Sequence, residues 1–360
     1  MKNPHAWLQK ETRHWVDRDI VSSQQAEQIL SLYPPHNTRH WGRLLLSGFG
    51  AVMIGLGVIL LFAYNWDEMS RFTKMALVLS ILAMTHFFAY QAMVKDKRGL
   101  SESLFVLATM LFGAGIWLVA QVYHLDEHYP NAFLLWSFGA MVLAWALPSL
   151  PQAILTVVLI MIWHLVEVFD FEFAAHHALI ILLLGVFPLI WRLQSPLLAR
   201  MTSAAFFVSL ASTTAIVDEH LTGSVMVLVS SAFIFLSQAG TTQSNPLIRH
   251  IGDEMAKPAY VVFVIMLFLL SFSDMADDLL RVRFSDAGDY FYFYTSLVIS
   301  QAVFAYLMVK RIFNPVVFAV EFTVLIELYP SLLSLFYIVH AEALIFNLIL
   351  LIFSIGMIVE

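Results

Sequence analysis

Between residues 44 and 359 the chain is a file of apolar runs, most of them near twenty residues long and separated by short polar turns. A helix needs about twenty residues to cross about 30 Å of hydrocarbon. It also satisfies its own backbone groups, which a membrane interior demands. The runs therefore predict membrane helices over 44–65, 72–94, 102–123, 131–148, 150–169, 177–193, 199–217, 224–240, 257–273, 289–309, 314–336 and 342–359. This reads as an all-α, polytopic integral membrane bundle of about twelve transmembrane helices over 44–360. Pro330 is expected to kink or end the helix that contains it.

Composition agrees with that reading. Of the 360 residues 60% are hydrophobic and 12% charged, against about 25% charged in a soluble domain. The absence of cysteine excludes disulfides, thiolate metal sites and Cys nucleophiles. No basic cluster is large enough to suggest nucleic acid. Residues 1–43 are polar and lack the apolar core of a signal peptide, so the first apolar run is expected to be an uncleaved anchor.

Loop charge sets the orientation. With the N-terminus in the cytoplasm, every Lys and Arg falls on the cytoplasmic side except Arg71, Lys74, Arg281 and Arg283. Basic residues are retained inside because translocating them is unfavourable. The alternation persists to Lys310 and Arg311, which supports the helix count up to that point.

Residues 4–33 read as a cytoplasmic amphipathic helical hairpin, closed by Pro34-Pro35. Asn3 can cap a helix with Pro4 at its first position, and Ser22 with Gln25 makes a capping box for a second helix. Trp7, Leu8, Trp15 and Val16 can then face Ile29 and Leu30. The run 274–289, with five Asp and two Arg, is read as an outer loop.

Polar residues supply the candidate sites. The outer loops collect His beside carboxylates: His124, Asp126, Glu127 and His128, then His164 and Glu167 three residues apart, Asp170, Glu172, His176, His177, Asp218, Glu219 and His220, and finally His340 and Glu342. Such a set can bind a divalent metal or sense pH, and His124, His128, His164 and Glu167 are the metal candidates. Ordinary interfacial polarity explains the same residues. Inside the bilayer Glu321 and Glu327 are the carboxylate candidates, since a buried charge is unfavourable unless neutralised or paired. For His86, a neutral ring bonded to a backbone carbonyl suffices. Ser47, Ala51 and Gly55 make a small-residue seam that suits close helix packing. Gly55 and Gly57 align on Gly113 and Gly115 ahead of similar Asp-Glu ends, a pattern that either an internal repeat or chance produces. Soluble-enzyme motifs such as GxSxG or a Walker loop are missing, and no cofactor is predicted.

Two stretches carry a resemblance. "RLLLSGFGAVMIGLGVILLFAYNWDEMSRFTKMAL" and "LFGAGIWLVAQVYHLDEHYPNAFLLWSFGAMVLAW" resemble the bacterial membrane proteins of the domain-of-unknown-function 2157 family. The shared pieces are Ala63, Asn65, Trp66, Asp67 and Lys74; Gln121, Tyr123 and His124; and Leu134, Leu135 and Trp136. Asp19 stands where that family often has Gly. The resemblance implies a multi-pass protein of the bacterial inner membrane and implies no activity. Asn65, Trp66, Asp67, Gln121, Tyr123 and His124 are expected to share one outer depth as a polar aromatic cluster, either an interfacial clamp or a ligand entrance.

Three functions are open to such a chain. A transporter or channel for a small solute or ion is slightly favoured. A sensor or scaffold would signal to a cytoplasmic protein partner through residues 4–33. A membrane enzyme would use the outer His and carboxylates.

Overall fold

The computed structural model describes residues 4–32, 53, 69–124, 128–217, 219–240, 245–272, 287–312, 314–328 and 347–354. Among these residues every regular element is helical. Contacts divide the chain into two compact units, Met1–Lys74 and Met75–Glu360. The boundary expected at 43/44 lies outside the described residues, as do the run 44–65 apart from Met53, and Pro330.

In the first unit α1 (Pro4–Asp17) packs on α2 (Ser23–Leu32). The capping box forms: Ser22 N–H donates to Gln25 Oε1 at 2.9 Å, and Gln25 N–H donates to Ser22 Oγ at 3.3 Å. Leu8, Trp15, Val16, Ile29 and Leu30 are half-buried, while Ala26 is buried between them. The side chain of Trp7 lies outside the described residues. The turn that ends α1 places Asp19 at φ 56°. Asp19 N–H bonds to Val16 O and Ile20 N–H to Trp15 O, the paired bonds of a Schellman turn. Left-handed backbone costs an L-residue about 1 kcal/mol or more that glycine avoids. Asp19→Gly is therefore expected to strengthen the hairpin by about 0.5–1 kcal/mol. Hydrogen exchange of the α1 amides in the full-length protein checks this, and faster exchange in the variant contradicts it.

The helical sequence continues with α3 (Arg71–Val94), whose first four residues belong to the first unit, and in the second unit with α4 (Arg98–Tyr123), α5 (Pro130–Ala146), α6 (Leu150–Phe171), α7 (His176–Leu193), α8 (Pro196–Val217), α9 (Glu219–Gly240), α10 (Pro246–Leu270), α11 (Ala287–Lys310) and α12 (Pro315–Leu328). Each coincides within a few residues with a predicted run, except that α10 starts about three turns early and α12 ends with the described residues. Of the last run, 347–354 is described and helical.

Seven of the described helices are long and apolar enough to cross a membrane. The sequence count also includes the runs 44–65 and 342–359, most of which lies outside the described residues. Residues 130–146 form an apolar but shorter helix, and α12 is described only as far as Leu328. The first half of α10 carries Asp253, Glu254 and Lys257 and extends beyond the apolar run.

Burial orders the helices. In α9 78% of the apolar window is buried, against 11% in α3. Phe72, Phe87 and Phe88 of α3 are exposed. Apolar exposure on that scale would drive association in water and is ordinary solvation in lipid. The core centres on α6 to α10, where the rings of Phe187, Phe206, Phe207 and Phe233 pack at 5.1–6.2 Å. Within α7, Leu182–Val186 form a π turn, and Trp145 Nε1–H donates to Gly185 O at 2.9 Å there. Between α4 and α5 the fit is reciprocal: Gly113 receives the ring of Trp136 and Gly139 receives that of Phe112.

Candidate functional site: a cleft backed by a buried carboxylate

A cleft of about 830 Å³ opens between α3, α4 and α5. Its walls are apolar, with Leu79, Leu82, Phe112, Ile116 and Leu135. Gln121, His124, His128, Tyr129 and Asn131 line it where α4 ends and α5 begins. His124 closes α4 in the left-handed conformation, φ 55°, with its N–H bonded to Ala120 O. Of the expected cluster, Gln121 and His124 line this cleft and Tyr123 is exposed outside its lining. Asn65, Trp66 and Asp67 lie outside the described residues.

His128 connects the cleft to the interior. Its Nε2 lies 2.8 Å from Glu167 Oε1, although the two residues are 39 apart in sequence. The same oxygen accepts from Trp163 Nε1–H at 2.9 Å. The side chain of Glu167 is 4% exposed and that of His128 36%. Phe171 covers the His128 ring edge-on at 4.5 Å between centroids. Beside them, Tyr129 donates to Asp170 Oδ2 at 2.6 Å. That hydrogen bond holds the Tyr129 phenol above its ordinary range, with desolvation and the carboxylate charge acting in the same direction.

One turn earlier on α6, His164 is fully buried. Its Nε2 lies 2.7 Å from Ser212 Oγ of α8. The Ser212 hydroxyl has one proton and donates it to the backbone, 2.8 Å from Val208 O and 3.3 Å from Ser209 O. It therefore accepts from His164 Nε2–H, which leaves Nδ1 of the neutral ring as an acceptor. His176 and Tyr292 hydrogen-bond at the same end, joining α7 to α11.

The four metal candidates do not converge. Glu167 takes His128, His164 turns to Ser212, and His124 stands in the cleft lining. Among the described residues no group of three or more His, Cys, Asp or Glu is placed to hold a metal ion.

The intramembrane candidates separate as well. Glu321 on α12 is 7% exposed and accepts from Gln301 Nε2 at 3.3 Å. It lines an otherwise mainly apolar cavity of about 820 Å³ with Asn314, Phe318 and Phe322. Glu327 falls on α12, but its side chain lies outside the described residues. His86 Nδ1 lies 2.9 Å from Leu82 O, the backbone bond that suffices for it.

A third carboxylate carries no signal in the apolar pattern. Glu254 of α10 is buried and receives Arg200 Nε at 2.6 Å and Lys257 Nζ at 2.5 Å. Burial opposes its ionisation, but the hydrogen bonds from Lys257 and Arg200 outweigh it and hold its pKa below the ordinary value of 4.5. The three-residue Glu254–Lys257 spacing was visible in sequence, whereas Arg200 comes from another helix. A lowered folded pKa stabilises above the ordinary value and is lost as pH falls through the folded one. Arg200→Met is thus expected to lower the melting temperature at pH 7 and to lose most of that effect at a pH below the lowered folded pKa. Melting curves at both pH values check the sign, and an effect that grows in acid contradicts it.

Comparison with curated proteins and with solved structures returns no match. Residues 13–153, which hold the α3–α5 cleft, match the sequence family described as "Predicted membrane protein (DUF2157)". The resemblance carried by Gln121, Tyr123, His124 and Trp136 therefore holds over this region, and the chain is a multi-pass membrane protein whose residues 13–153 match that family.

Proposed function

We propose that the protein is a transporter or channel for a small solute or ion in the bacterial cytoplasmic membrane, with about twelve helices and its N-terminus inside. One observation carries the reading. His128 lines the cleft and is bonded to the buried Glu167, so a titratable group joins a solvent-sized opening to the interior. A buried carboxylate in a membrane helix is a functional site by default, and Glu321 beside its own cavity is the second. The distribution of Lys and Arg supports the orientation.

The test is flux in vesicles reconstituted with purified full-length protein, under imposed gradients of protons and of alkali cations. Wild-type vesicles are expected to exceed empty ones. Glu167→Gln and Glu321→Gln are each expected to lower the flux about a hundredfold. Retained flux in either variant removes that carboxylate from the mechanism, and wild-type vesicles equal to empty ones overturn the reading. Because the chain lacks cysteine, single cysteines at 97 and 126 report orientation. Impermeant reagents should label 126 and spare 97 in intact spheroplasts.

A second reading has support from the hairpin. Ile20 and Leu32 are 64% and 74% exposed, which suits docking of a cytoplasmic protein. Deleting residues 1–38 should then leave a stable membrane protein and abolish the cellular phenotype.

A further inference from the structure

Buried polar atoms in folded proteins nearly always have hydrogen-bond partners. Among the described residues six buried side-chain atoms have none: Ser149 Oγ, Gln152 Nε2, His164 Nδ1, Glu167 Oε2, Thr202 Oγ1 and Thr213 Oγ1. All six lie on α6, on α8 or on Ser149 just before α6. The two helices run side by side in one register, fixed by His164 with Ser212 and by Met161 with Ser209, both 48 residues apart. That register sorts the six into two levels. His164, Glu167 and Thr213 stand at one end of the seam, and Ser149, Gln152 and Thr202 stand near the other.

The first level has a definite deficit. Glu167 Oε1 already takes two donors, from His128 and Trp163, while Oε2 takes none. His164 Nδ1, an acceptor by the tautomer argued above, also takes none. Glu167 and His164 are three residues apart, on one helical face. Two buried acceptors one helical turn apart are satisfied together by a molecule that donates twice. Water does so and fits such a site with two to four polar partners.

We infer that one buried water bonds both Glu167 Oε2 and His164 Nδ1, and that a single proton passes between these groups across it. With Glu167 protonated on Oε2, the water takes that proton as it gives one of its own to Nδ1. The carboxyl becomes carboxylate, the imidazole becomes imidazolium, and the water is unchanged. No electron moves and no bond between heavy atoms is altered. The other titratable groups around the pair are His128 and Tyr129 before α5, Asp170 on α6, His176 on α7 and Tyr292 on α11. Use of that proton in flux rests on the transport reading, whereas the water does not.

Radiolytic hydroxyl-radical footprinting tests the water, because radicals born on bound water oxidise the side chains beside it. Trp163, 3% exposed and bonded to Glu167, is the reporter, and Phe235 and Phe263, both fully buried, are the dry controls. With full-length protein in lipid nanodiscs, Trp163 is expected to be oxidised about tenfold faster than either control once intrinsic reactivity is corrected, reflecting ordered water rather than exposure. His164→Leu removes one acceptor, and oxidation of Trp163 should fall toward the control rate while Phe235 and Phe263 stay protected. Protection of both Phe also shows that the variant has folded. A wild-type Trp163 as inert as the controls overturns the inference. Glu167→Leu serves as the second variant if His164→Leu exposes the controls, and unchanged Trp163 oxidation there is equally fatal. Footprinting needs no transport, so an inactive protein with an oxidised Trp163 loses the transport reading alone. If wild-type vesicles pass protons and His164→Leu vesicles pass them equally, the proton exchange alone is lost.

Discussion

Glu167→Ala is expected to destabilise the protein by about 2–4 kcal/mol, and Glu167→Gln by no more than about 1 kcal/mol. The difference lies in what each leaves behind. Alanine strips the acceptor from Trp163 Nε1–H, which is buried, and frees the half-exposed His128 ring. An unpaired buried donor costs about 1–3 kcal/mol and the small cavity adds to it. Glutamine keeps an oxygen where Oε1 stands and so keeps both bonds. Thermal unfolding followed by intrinsic fluorescence in one detergent measures the two variants side by side. Equal melting temperatures for Ala and Gln would show that the Trp163–Glu167–His128 junction contributes nothing to stability.

Gly113→Ala should cost about 3 kcal/mol, far beyond what a methyl group does on an exposed helix. A Cβ on Gly113 would meet Cδ2 and Cε2 of Trp136 at 2.2 Å, the middle of a rigid indole rather than the tip of a flexible chain. The ring cannot retreat freely, because its Nε1–H donates to Thr109 O at 2.7 Å. Two changes bracket the argument. Gly99→Ala, with nothing within 4 Å of the new atom, is expected to be neutral or to gain up to about 1 kcal/mol from helix propensity. Trp136→Leu combined with Gly113→Ala should recover part of the loss by opening the space. A double variant no more stable than Gly113→Ala would place the strain elsewhere.

Sequence alone determined the described helices of this protein. Lipid offers no partners to backbone groups, so each segment in it closes its own hydrogen bonds. That demand is local and can be read from the length of an apolar run. Ser22 and Gln25 were equally legible, since a capping box is a contact across three residues. Helix ends were less so. Asp19, Asp96, Gln194 and Arg311 turn the chain at positive φ where the usual marker is glycine, and nothing in those residues announces it.

Only the tertiary structure decided which polar groups meet. His128 reaches Glu167 across 39 residues, His164 reaches Ser212 across 48, and Arg200 reaches Glu254 across 54. Sequence had grouped His124, His128, His164 and Glu167 by depth along the helices. Packing then set their angle around each helix axis and the register of α6 on α8. Partner choice inside a bundle depends on those two quantities, and hydropathy, which measures the transfer of each residue by itself, carries neither.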